Sequence, residues 1–318
     1  MRGIGILGTG RHGSRYAQHI VNDCDGLALR AIARRSPAGK DQAAAWGAGW
    51  YDDWKALVAD PAVEAVISVV PPSLNLPIAR KCAAAGKPLL IEKPLAINSG
   101  QAKEIVAVMK AADCPLTVGQ TLRYNPVIKS LKSRIKNMGP LHSFSANQRL
   151  EPSTLAWHDV KEIAGSGVLT QTAIHVFDAL RYITGLKIQR VMAARYLCKS
   201  KNLEDLVMVL TEMEDGVVGT VDISKVGNAR SGRYEFICED GQLHGEQIHS
   251  QVDIIRGNCL QRIEEPLPEN TILQLLREWQ GYLEGENLNP VCGEDGLYAV
   301  QVCDACLKSA KEERWVKV

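Results

Sequence analysis

The chain has 318 residues, of which 46% are hydrophobic, so it can form the cores of two ordinary domains. Its 37 basic residues nearly balance its 36 acidic ones, which gives no electrostatic reason to expect nucleic acid or an anionic membrane as a partner. No apolar stretch approaches the roughly 20 residues that cross a bilayer, and the apolar start of the chain is too short for a signal peptide. We therefore expect a cytoplasmic protein that binds a small molecule.

The first part of the chain alternates short apolar runs with stretches of helical periodicity. Strands are predicted at Gly3–Leu7, Ala28–Ala33, Ala65–Val69, Pro88–Ile91 and Leu116–Val118. Helices are predicted at about Arg15–Val21, Ala38–Ala45, Leu76–Ala85 and Gln101–Ala111. Because alternating strands and helices are typical of a parallel sheet covered on both faces, residues 1–122 are predicted to form an α/β domain.

The pattern changes after residue 122, where long segments with β-like alternation appear. Strands are predicted at Leu141–Arg149, Ile188–Tyr196, Leu206–Met213, Val217–Ile223, Arg233–Cys238 and Val252–Arg256. Helices are predicted at Asn125–Lys136, near Leu169–Thr184 and from Ile272 to Leu283. The turns Glu214–Gly216 and Glu239–Gly241 are typical of hairpins. Residues 123–318 are therefore predicted to form an α+β domain with an antiparallel sheet, and packing of the C-terminal helices back on the first domain is left open.

A glycine-rich turn joins the first predicted strand to the first helix. Its pattern, G-x-G-x-x-G, is formed by Gly8, Thr9, Gly10, Arg11, His12 and Gly13. Gly8 permits the tight turn, Gly10 lets a pyrophosphate approach the backbone, and Gly13 lets the helix pack on the strand. The amides at the start of the helix then face the phosphates. This context predicts a Rossmann dinucleotide-binding domain, the alternative being a glycine turn without a ligand.

The end of the second predicted strand indicates which dinucleotide is bound. An Asp or Glu there would hold the ribose 2′-hydroxyl of NAD, but this chain has Arg34, Arg35 and Ser36. An arginine cannot accept a hydrogen bond from a hydroxyl, whereas it can pair with the 2′-phosphate of NADP or stack on adenine. We therefore predict NADP as the preferred cofactor over NAD. The alternative is that the arginines are solvated and the protein is indifferent to the phosphate.

A lysine follows the predicted strand Pro88–Ile91 in the sequence Glu92-Lys93-Pro94. Ligands of open α/β sheets bind at the carboxyl ends of the strands. Lys93 is therefore in a position to polarise a carbonyl or to hold a substrate hydroxyl beside the nicotinamide. An isolated loop lysine is more often simply exposed to solvent, and its position after a sheet strand weakens that alternative.

These motifs resemble those of the glucose–fructose oxidoreductase, inositol dehydrogenase and rhizopine-catabolism (Gfo/Idh/MocA) family. The resemblance is carried by the glycine turn, Pro71-Pro72, Ala85–Pro88, Glu92-Lys93-Pro94, Arg123–Pro126 and the segment Gly165–Leu169 that leads to His175. It implies hydride transfer between a nicotinamide and a hydroxyl or carbonyl carbon of a sugar, polyol or related small molecule. It also implies a second domain with a large, open, mostly antiparallel sheet through which chains assemble as homodimers or homotetramers.

The resemblance also implies site residues. Residues matching Lys93 and His175 serve catalysis in that family, the histidine usually as general acid or base. The cofactor site is expected to include, besides the glycine turn and Arg34, Arg35 and Ser36, the residues Val70, Pro71, Asn75, Glu92 and Lys93. Candidates for substrate contact are Gln171, Arg123, Tyr124, Trp157 and His158.

One position departs from the family, because Gln171 stands where an aspartate commonly precedes the histidine by four residues. A glutamine one helical turn before His175 can hydrogen-bond a substrate but supplies no negative charge to an imidazolium. This departure leaves open a reductase of an imine or of a conjugated double bond, or a non-catalytic nucleotide-binding regulator.

No metal site is expected. The nine cysteines are expected to be buried, reduced thiols, the alternative being a redox or metal role for the pair Cys303 and Cys306.

Overall fold

A computed structural model describes residues 1–267 and 270–318. The chain divides into two compact units. The first unit comprises Met1–Thr121 and Asn270–Leu297, and the second comprises Leu122–Glu269 and Tyr298–Val318. The predicted domain boundary after residue 122 places the segment Asn270–Leu297 in the second domain. In the structure this segment belongs to the first unit.

The first unit contains a six-stranded parallel sheet in the order β3-β2-β1-β4-β5-β6. The strands are β1 (Arg2–Leu7), β2 (Leu27–Ala33), β3 (Gly49–Tyr51), β4 (Ala65–Ser68), β5 (Leu89–Glu92) and β6 (Leu116–Gly119). The helices between them are α1 (Gly13–Asp23), α2 (Ala38–Ala45), α3 (Trp54–Ala59), α4 (Asn75–Ala84) and α5 (Ser99–Ala111). The predicted Rossmann-type fold is confirmed. The strand order reverses between β1 and β4, the point at which open α/β sheets bind ligands.

The sequence pattern does not predict β3 and α3. The strand β3 has 3 residues and the helix α3 has 6, and neither is long enough to display a clear periodicity. The strands β4, β5 and β6 are easier to predict because every residue in them is buried. Such strands form continuous apolar runs.

The second unit contains a nine-stranded sheet in the order β14-β13-β12-β11-β7-β10-β9-β8-β15. Its strands are β7 (Leu141–Arg149), β8 (Ile188–Tyr196), β9 (Leu206–Met213), β10 (Val218–Ser224), β11 (Ser231–Cys238), β12 (Gly241–Glu246), β13 (Gln251–Arg256), β14 (Cys259–Glu264) and β15 (Val316–Lys317). Its helices include α6 (Pro126–Ile135), α7 (Lys161–Ala164) and α8 (Ile174–Thr184). Neighbouring strands are antiparallel except β7 and β10, which are parallel. The predicted large, open, mostly antiparallel sheet is therefore confirmed.

One face of this sheet is covered, since α6 packs against β12 and β13, and α8 contacts β7. The strands that the sequence does not predict lack an apolar alternation. β12 contains two glycines, Gly241 and Gly245, and β14 is exposed along almost its whole length. On the other strands buried and exposed residues alternate, which leaves apolar side chains such as Met208 and Leu210 exposed on the second face.

Two further helices follow, α9 (Thr271–Leu283) and α10 (Gly293–Glu312). The helix α9 packs against α1 within the first unit.

The thiols of Cys303 and Cys306 on α10 are fully buried, and burial raises the pKa of both. Protonated, buried thiols are unreactive, which favours the structural role expected for this pair. Among residues 1–267 and 270–318, no helix combines the length and apolarity needed to span a bilayer.

Candidate active site

Two of the three glycines in the first turn are required by the fold. Gly8 has a φ of +88°, and a Cβ there would lie 2.4 Å from the carbonyl oxygen of Val69. A Cβ on Gly13 would lie 2.0 Å from the carbonyl oxygen of Gly8. The turn that follows β1 therefore packs directly against the chain that follows β4, and α1 packs directly against the turn.

Gly10 is different, because nothing in the protein requires a glycine at this position. It is exposed, its φ lies outside the left-handed region, and a Cβ built on it would meet no atom within 4 Å. The open space above Gly10 fits the approach of an external group to the backbone. The adjacent helix α1 begins without a side-chain cap and without an acidic residue in its first turn, so its N-terminus suits an anionic group.

Arg34 is connected to the glycine turn through Gln42. Its Nη1 donates to the carbonyl oxygen of Thr9 at 3.1 Å and to Gln42 Oε1 at 2.8 Å, and Thr9 Oγ1 donates to the same oxygen at 2.8 Å. Arg35 and Ser36 are exposed. Sequence reasoning missed Gln42, which lies on α2 and has no local pattern to distinguish it from other polar helical residues.

The residues that follow β4 differ in their burial. Val70 and Pro71 are half-buried, and a Cβ on Gly8 would lie 2.9 Å from Val70 Cγ1. Asn75 is almost fully buried: its Oδ1 accepts from Ser68 Oγ at 3.1 Å, and its Nδ2 donates to the carbonyl oxygens of Pro94 and Leu95, both at 3.2 Å. These hydrogen bonds connect Asn75 to the loop after Lys93, and its contact with the cofactor stays a prediction.

Glu92, the last residue of β5, is a buried carboxylate with three donors. Tyr16 donates its hydroxyl to Oε1 at 2.5 Å, His12 Nε2 lies 2.8 Å from the same oxygen, and the backbone N–H of Lys93 donates to Oε2 at 3.1 Å. Burial alone would raise the pKa of Glu92, but the hydrogen bonds and charge of His12, with the hydrogen bond of Tyr16, hold it below its ordinary value. Glu92 therefore links the glycine turn and α1 to the loop that contains Lys93. Sequence reasoning missed Tyr16.

Lys93 is half-buried and is followed by a cis peptide bond to Pro94. Burial lowers the pKa of its ammonium, and the neighbouring charge of Glu92 opposes that shift without cancelling it. An amine with a lowered pKa gives up its proton more readily than an exposed lysine does, which suits proton transfer.

In the second unit, the segment around His175 is not a continuous α-helix. A π-helical turn, Leu169–Ala173, precedes α8, and His175 lies half-buried in the first turn of α8. A π-helical turn contains more residues than an α-helical one. The four-residue spacing between Gln171 and His175 is therefore not the one helical turn that the sequence predicts. Gln171 lies in the π-helical turn, where its Nε2 donates to the carbonyl oxygen of His158 at 2.7 Å and its Oε1 accepts from Lys225 Nζ at 2.9 Å.

Gln171, His158 and Lys225 line one cavity of about 260 Å³ in this unit. His158 lies on a 3-10 helix, Ala156–Asp159, with its Nδ1 2.7 Å from Ser153 Oγ. The ring of Trp157 stands edge-on to that of His158 at 4.1 Å. The structure thus brings together three of the residues expected to contact substrate and adds Lys225, which no motif in the sequence indicated.

The other two candidates for substrate contact, Arg123 and Tyr124, lie in the interior. Arg123 forms a two-point ion pair with Asp178, with distances of 2.8 Å from Nε to Oδ2 and 2.6 Å from Nη2 to Oδ1. Arg123 is 7% exposed and Tyr124 is 4% exposed. A buried ion pair of this geometry is a structural element. Substrate contact by these two residues is therefore without support in the structure.

A doubly wound parallel sheet, a glycine turn with space for a phosphate and a lysine at the carboxyl edge define a dinucleotide-binding oxidoreductase. Residues 2–120 match the model of the oxidoreductase family with an NAD-binding Rossmann fold, and residues 136–244 match the GFO/IDH/MocA C-terminal domain. The chain belongs to the GFO/IDH/MocA family. Membership in this family supports an enzyme over a non-catalytic nucleotide-binding regulator.

Individual relatives extend over most of the chain. It is 24% identical to myo-inositol 2-dehydrogenase of Thermotoga maritima, over 99% of this chain and 98% of that protein. It is 26% identical to the NAD⁺-dependent scyllo-inositol 2-dehydrogenase of Bacillus subtilis, over 79% of this chain and 75% of that protein. The fold matches that of levoglucosan dehydrogenase in complex with NADH and levoglucosan, with a TM-score of 0.89 and 22% identity over 100% of this chain and 99% of the other.

Substitution of two glycines distinguishes a binding role from a folding role. We expect Gly10→Ala to change the free energy of unfolding by less than about 1 kcal/mol but to raise the Kd for the dinucleotide at least about tenfold, because the methyl group enters the space over the turn. Gly13→Ala should instead lower the free energy of unfolding by about 1–3 kcal/mol, because its Cβ meets backbone. Urea denaturation and titration with the reduced dinucleotide measure both effects. Unchanged binding by Gly10→Ala would contradict the role of Gly10.

Proposed function

We propose that the protein transfers a hydride between the nicotinamide of NAD(P) and a hydroxyl or carbonyl carbon of a sugar, polyol or related small molecule. The observation that carries this proposal is the lysine with a lowered pKa at the carboxyl end of β5, next to a turn that accommodates a dinucleotide. The relatives that act on inositols and levoglucosan support the substrate class.

The chain's own residues would bind the substrate oxygen and move its proton. When bound, the nicotinamide accepts or donates the hydride. Lys93 holds the reacting oxygen, and its lowered pKa lets it exchange a proton with a substrate hydroxyl. His175 acts as general acid or base, since an imidazole titrates near neutral pH. Gln171 and His158 hydrogen-bond the rest of the substrate from the cavity that they line.

A second candidate reaction is the reduction of an imine or of a conjugated double bond. It is favoured by Gln171, which is neutral where the family commonly has an aspartate. Without that carboxylate, position 171 supplies no negative charge to stabilise the protonated form of His175. Acid–base catalysis on a substrate hydroxyl is then less strongly favoured. A substrate screen that follows the absorbance of the reduced nicotinamide separates the two reactions.

We also propose that NADP is preferred to NAD. No carboxylate follows β2, so the acceptor that commonly holds the ribose 2′-hydroxyl of NAD is missing there. The exposed Arg35 supplies a positive charge for a 2′-phosphate, and Ser36 supplies a hydroxyl. Arg34 donates hydrogen bonds to Thr9 and Gln42, and these bonds hold the end of this strand next to the glycine turn.

The exposed face of the nine-stranded sheet is proposed to bind a second copy of the chain. The side chains of Met208, Leu210, Val218 and Ile237 on this face are between 45% and 51% exposed. Met208 and Leu210, together with Met192, line a groove of about 490 Å³ on this face. Apolar side chains exposed together on central strands are typical of a protein–protein interface. A homodimer or homotetramer would remove them from water.

We also propose that the protein is located in the cytoplasm. The expectation that all nine cysteines are buried is wrong for Cys198 and Cys259, whose thiols are exposed. Neither is paired with another cysteine, which suits a reducing compartment. Immunoblotting of cell fractions tests this location, and recovery of the chain outside the cytoplasm would contradict it.

Replacement of Lys93 tests the reaction. We expect Lys93→Met to reduce turnover at least about a hundredfold, the range that follows the loss of proton-transfer assistance, and to leave the Kd for the dinucleotide within about threefold. Lys103→Met, at an exposed position on α5, is the control and should retain full activity. Steady-state kinetics and cofactor titration measure both effects. An active Lys93→Met enzyme would refute the proposed role.

Cofactor preference depends on charge at the end of β2. We expect the unaltered protein to bind NADPH more tightly than NADH, and Arg35→Ala to raise the Kd for NADPH at least about tenfold without affecting NADH, because an ion pair with the phosphate is lost. Arg30→Ala, an exposed arginine within the same strand, is the matched control. Calorimetric titration gives both constants, and tighter binding of NADH by the unaltered protein would end the NADP proposal.

The mass of the protein in solution tests the sheet interface. We expect at least a dimer of the 34.8 kDa chain, and we expect Leu210→Glu to dissociate it, since the substitution buries a charge within the interface. Leu260→Glu introduces the same charge on the exposed edge strand β14 and should leave the mass unchanged. Light scattering during gel filtration measures these masses, and a monomeric unaltered protein would exclude the interface.

A further inference from the structure

The side chain of Gln42, on α2, joins three other residues at the glycine turn. Its Oε1 accepts from Thr9 Oγ1 and from Arg34 Nη1, both at 2.8 Å, and its Nε2 donates to Ser14 Oγ at 3.3 Å. Ser14 Oγ and Arg34 Nη1 also donate to the carbonyl oxygen of Thr9, at 3.2 Å and 3.1 Å. These hydrogen bonds form a closed network, so the position of the Arg34 side chain depends on that of Gln42.

The backbone of Arg34 is fixed as well. Its N–H donates to the carbonyl oxygen of Tyr51 at 3.0 Å, and its carbonyl oxygen accepts from Trp50 Nε1 at 3.1 Å. A Cβ on Gly39 would lie 2.4 Å from Trp50 Nε1 and 3.0 Å from Arg34 Cβ, so the start of α2 packs directly against the end of β2. Arg34 therefore has a defined orientation before a ligand binds, which lowers the entropic cost of binding one.

Neutral acceptors alone hold the guanidinium of Arg34. Among the residues that the structure describes, its Nε and Nη2 have no hydrogen-bond partner and Arg34 forms no ion pair. Asp41, in the first turn of α2, is exposed to solvent and does not pair with Arg34. The planar fork of N–H groups on a guanidinium matches the oxygens of a phosphate. Arg34 is therefore a half-buried cation that is fixed in position and suited to an anionic ligand.

We propose that Arg34 binds the 2′-phosphate of NADP and that Gln42 is the positioning residue that orients Arg34 for it. Arg34 directly follows β2, where a carboxylate would hold the ribose 2′-hydroxyl of NAD. The inference rests on the proposed preference for NADP, and it adds a second contact besides Arg35 together with the residue that controls this contact. An amide suits this role because its oxygen accepts from a guanidinium without neutralising it, whereas a carboxylate would form an ion pair with it.

Two probes without a nicotinamide isolate this end of the cofactor. Adenosine 2′,5′-bisphosphate has the 2′-phosphate, and adenosine 5′-monophosphate lacks it. Each is titrated calorimetrically into the full-length protein, and the selectivity is the ratio of the Kd of the monophosphate to that of the bisphosphate. We expect a ratio of at least about ten in the unaltered protein, because charge-assisted hydrogen bonds to the phosphate are strong.

Substitutions at both positions then test the assigned residues. Arg34→Met should lower the selectivity at least about fivefold, and Gln42→Met should lower it about threefold to tenfold, because the guanidinium is no longer held in place. Gln42→Glu keeps an acceptor for Arg34 but places a negative charge beside the phosphate, and it should lower the selectivity at least as much. Gln18→Met, at an exposed position on α1, is the control and should leave the selectivity unchanged. Thermal melting verifies that each variant is folded.

The double variant shows whether Gln42 acts through Arg34. We expect Gln42→Met to have no further effect on the selectivity once Arg34 is replaced by Met, since a positioning residue has no effect without the residue that it positions. A purely structural role would instead weaken both probes alike and leave the ratio unchanged. Independent, additive effects of the two substitutions on the ratio would contradict the coupling.

The outcomes separate this inference from the proposed function. An equal loss of both probes in Arg34→Met, or an unchanged ratio in Gln42→Met and Gln42→Glu, would overturn the inference even if Arg35 alone makes the protein prefer NADPH. Selective binding of the bisphosphate that depends on Arg34 and Gln42, without turnover of any sugar or polyol, would support the inference and count against the proposed reaction.

Discussion

The carboxylate of Glu92 is the group on which the first unit's site depends. It is 8% exposed at the end of β5, where an unpaired charge would be strongly unfavourable. Its three partners come from separate parts of the chain: His12 from the glycine turn, Tyr16 from α1 and the backbone N–H of Lys93 from the loop itself. Displacement of α1 would remove the hydroxyl of Tyr16 from this buried charge. The fold therefore couples the position of the nucleotide turn to that of the lysine.

The same carboxylate sets the chemistry of its neighbour. Burial lowers the pKa of Lys93, and a negative charge one residue away limits that shift. A lysine buried without such a charge would have a pKa that is lower still, whereas a fully exposed lysine would hold its proton more firmly. Glu92 therefore has two effects, one on the geometry of the loop and one on the proton affinity of the amine.

Sequence reasoning succeeded where the determining signal is local. The strands β4, β5 and β6 are apolar runs because both faces of a parallel sheet are buried, and the glycine turn is a continuous motif. It failed where partners are distant: Gln42 bonds to Thr9, 33 residues away, and Lys225 bonds to Gln171, 54 residues away. Asn75 and Arg123 also bond to partners that are distant in the sequence, Asn75 to the carbonyl oxygen of Pro94 and Arg123 to Asp178, and no local pattern indicates either bond.

Positions 171 and 225 have to be considered together, because neither residue alone determines the electrostatics of the second unit's cavity. The π-helical turn Leu169–Ala173 positions Gln171 so that its amide reaches both the carbonyl oxygen of His158 and the ammonium of Lys225. An amide can satisfy both partners at once, since it donates at one end and accepts at the other, whereas a carboxylate could not donate to the carbonyl. Glutamine in place of the family's common aspartate therefore connects the 3-10 helix that contains His158 to Lys225, and it does so without adding a negative charge to the cavity.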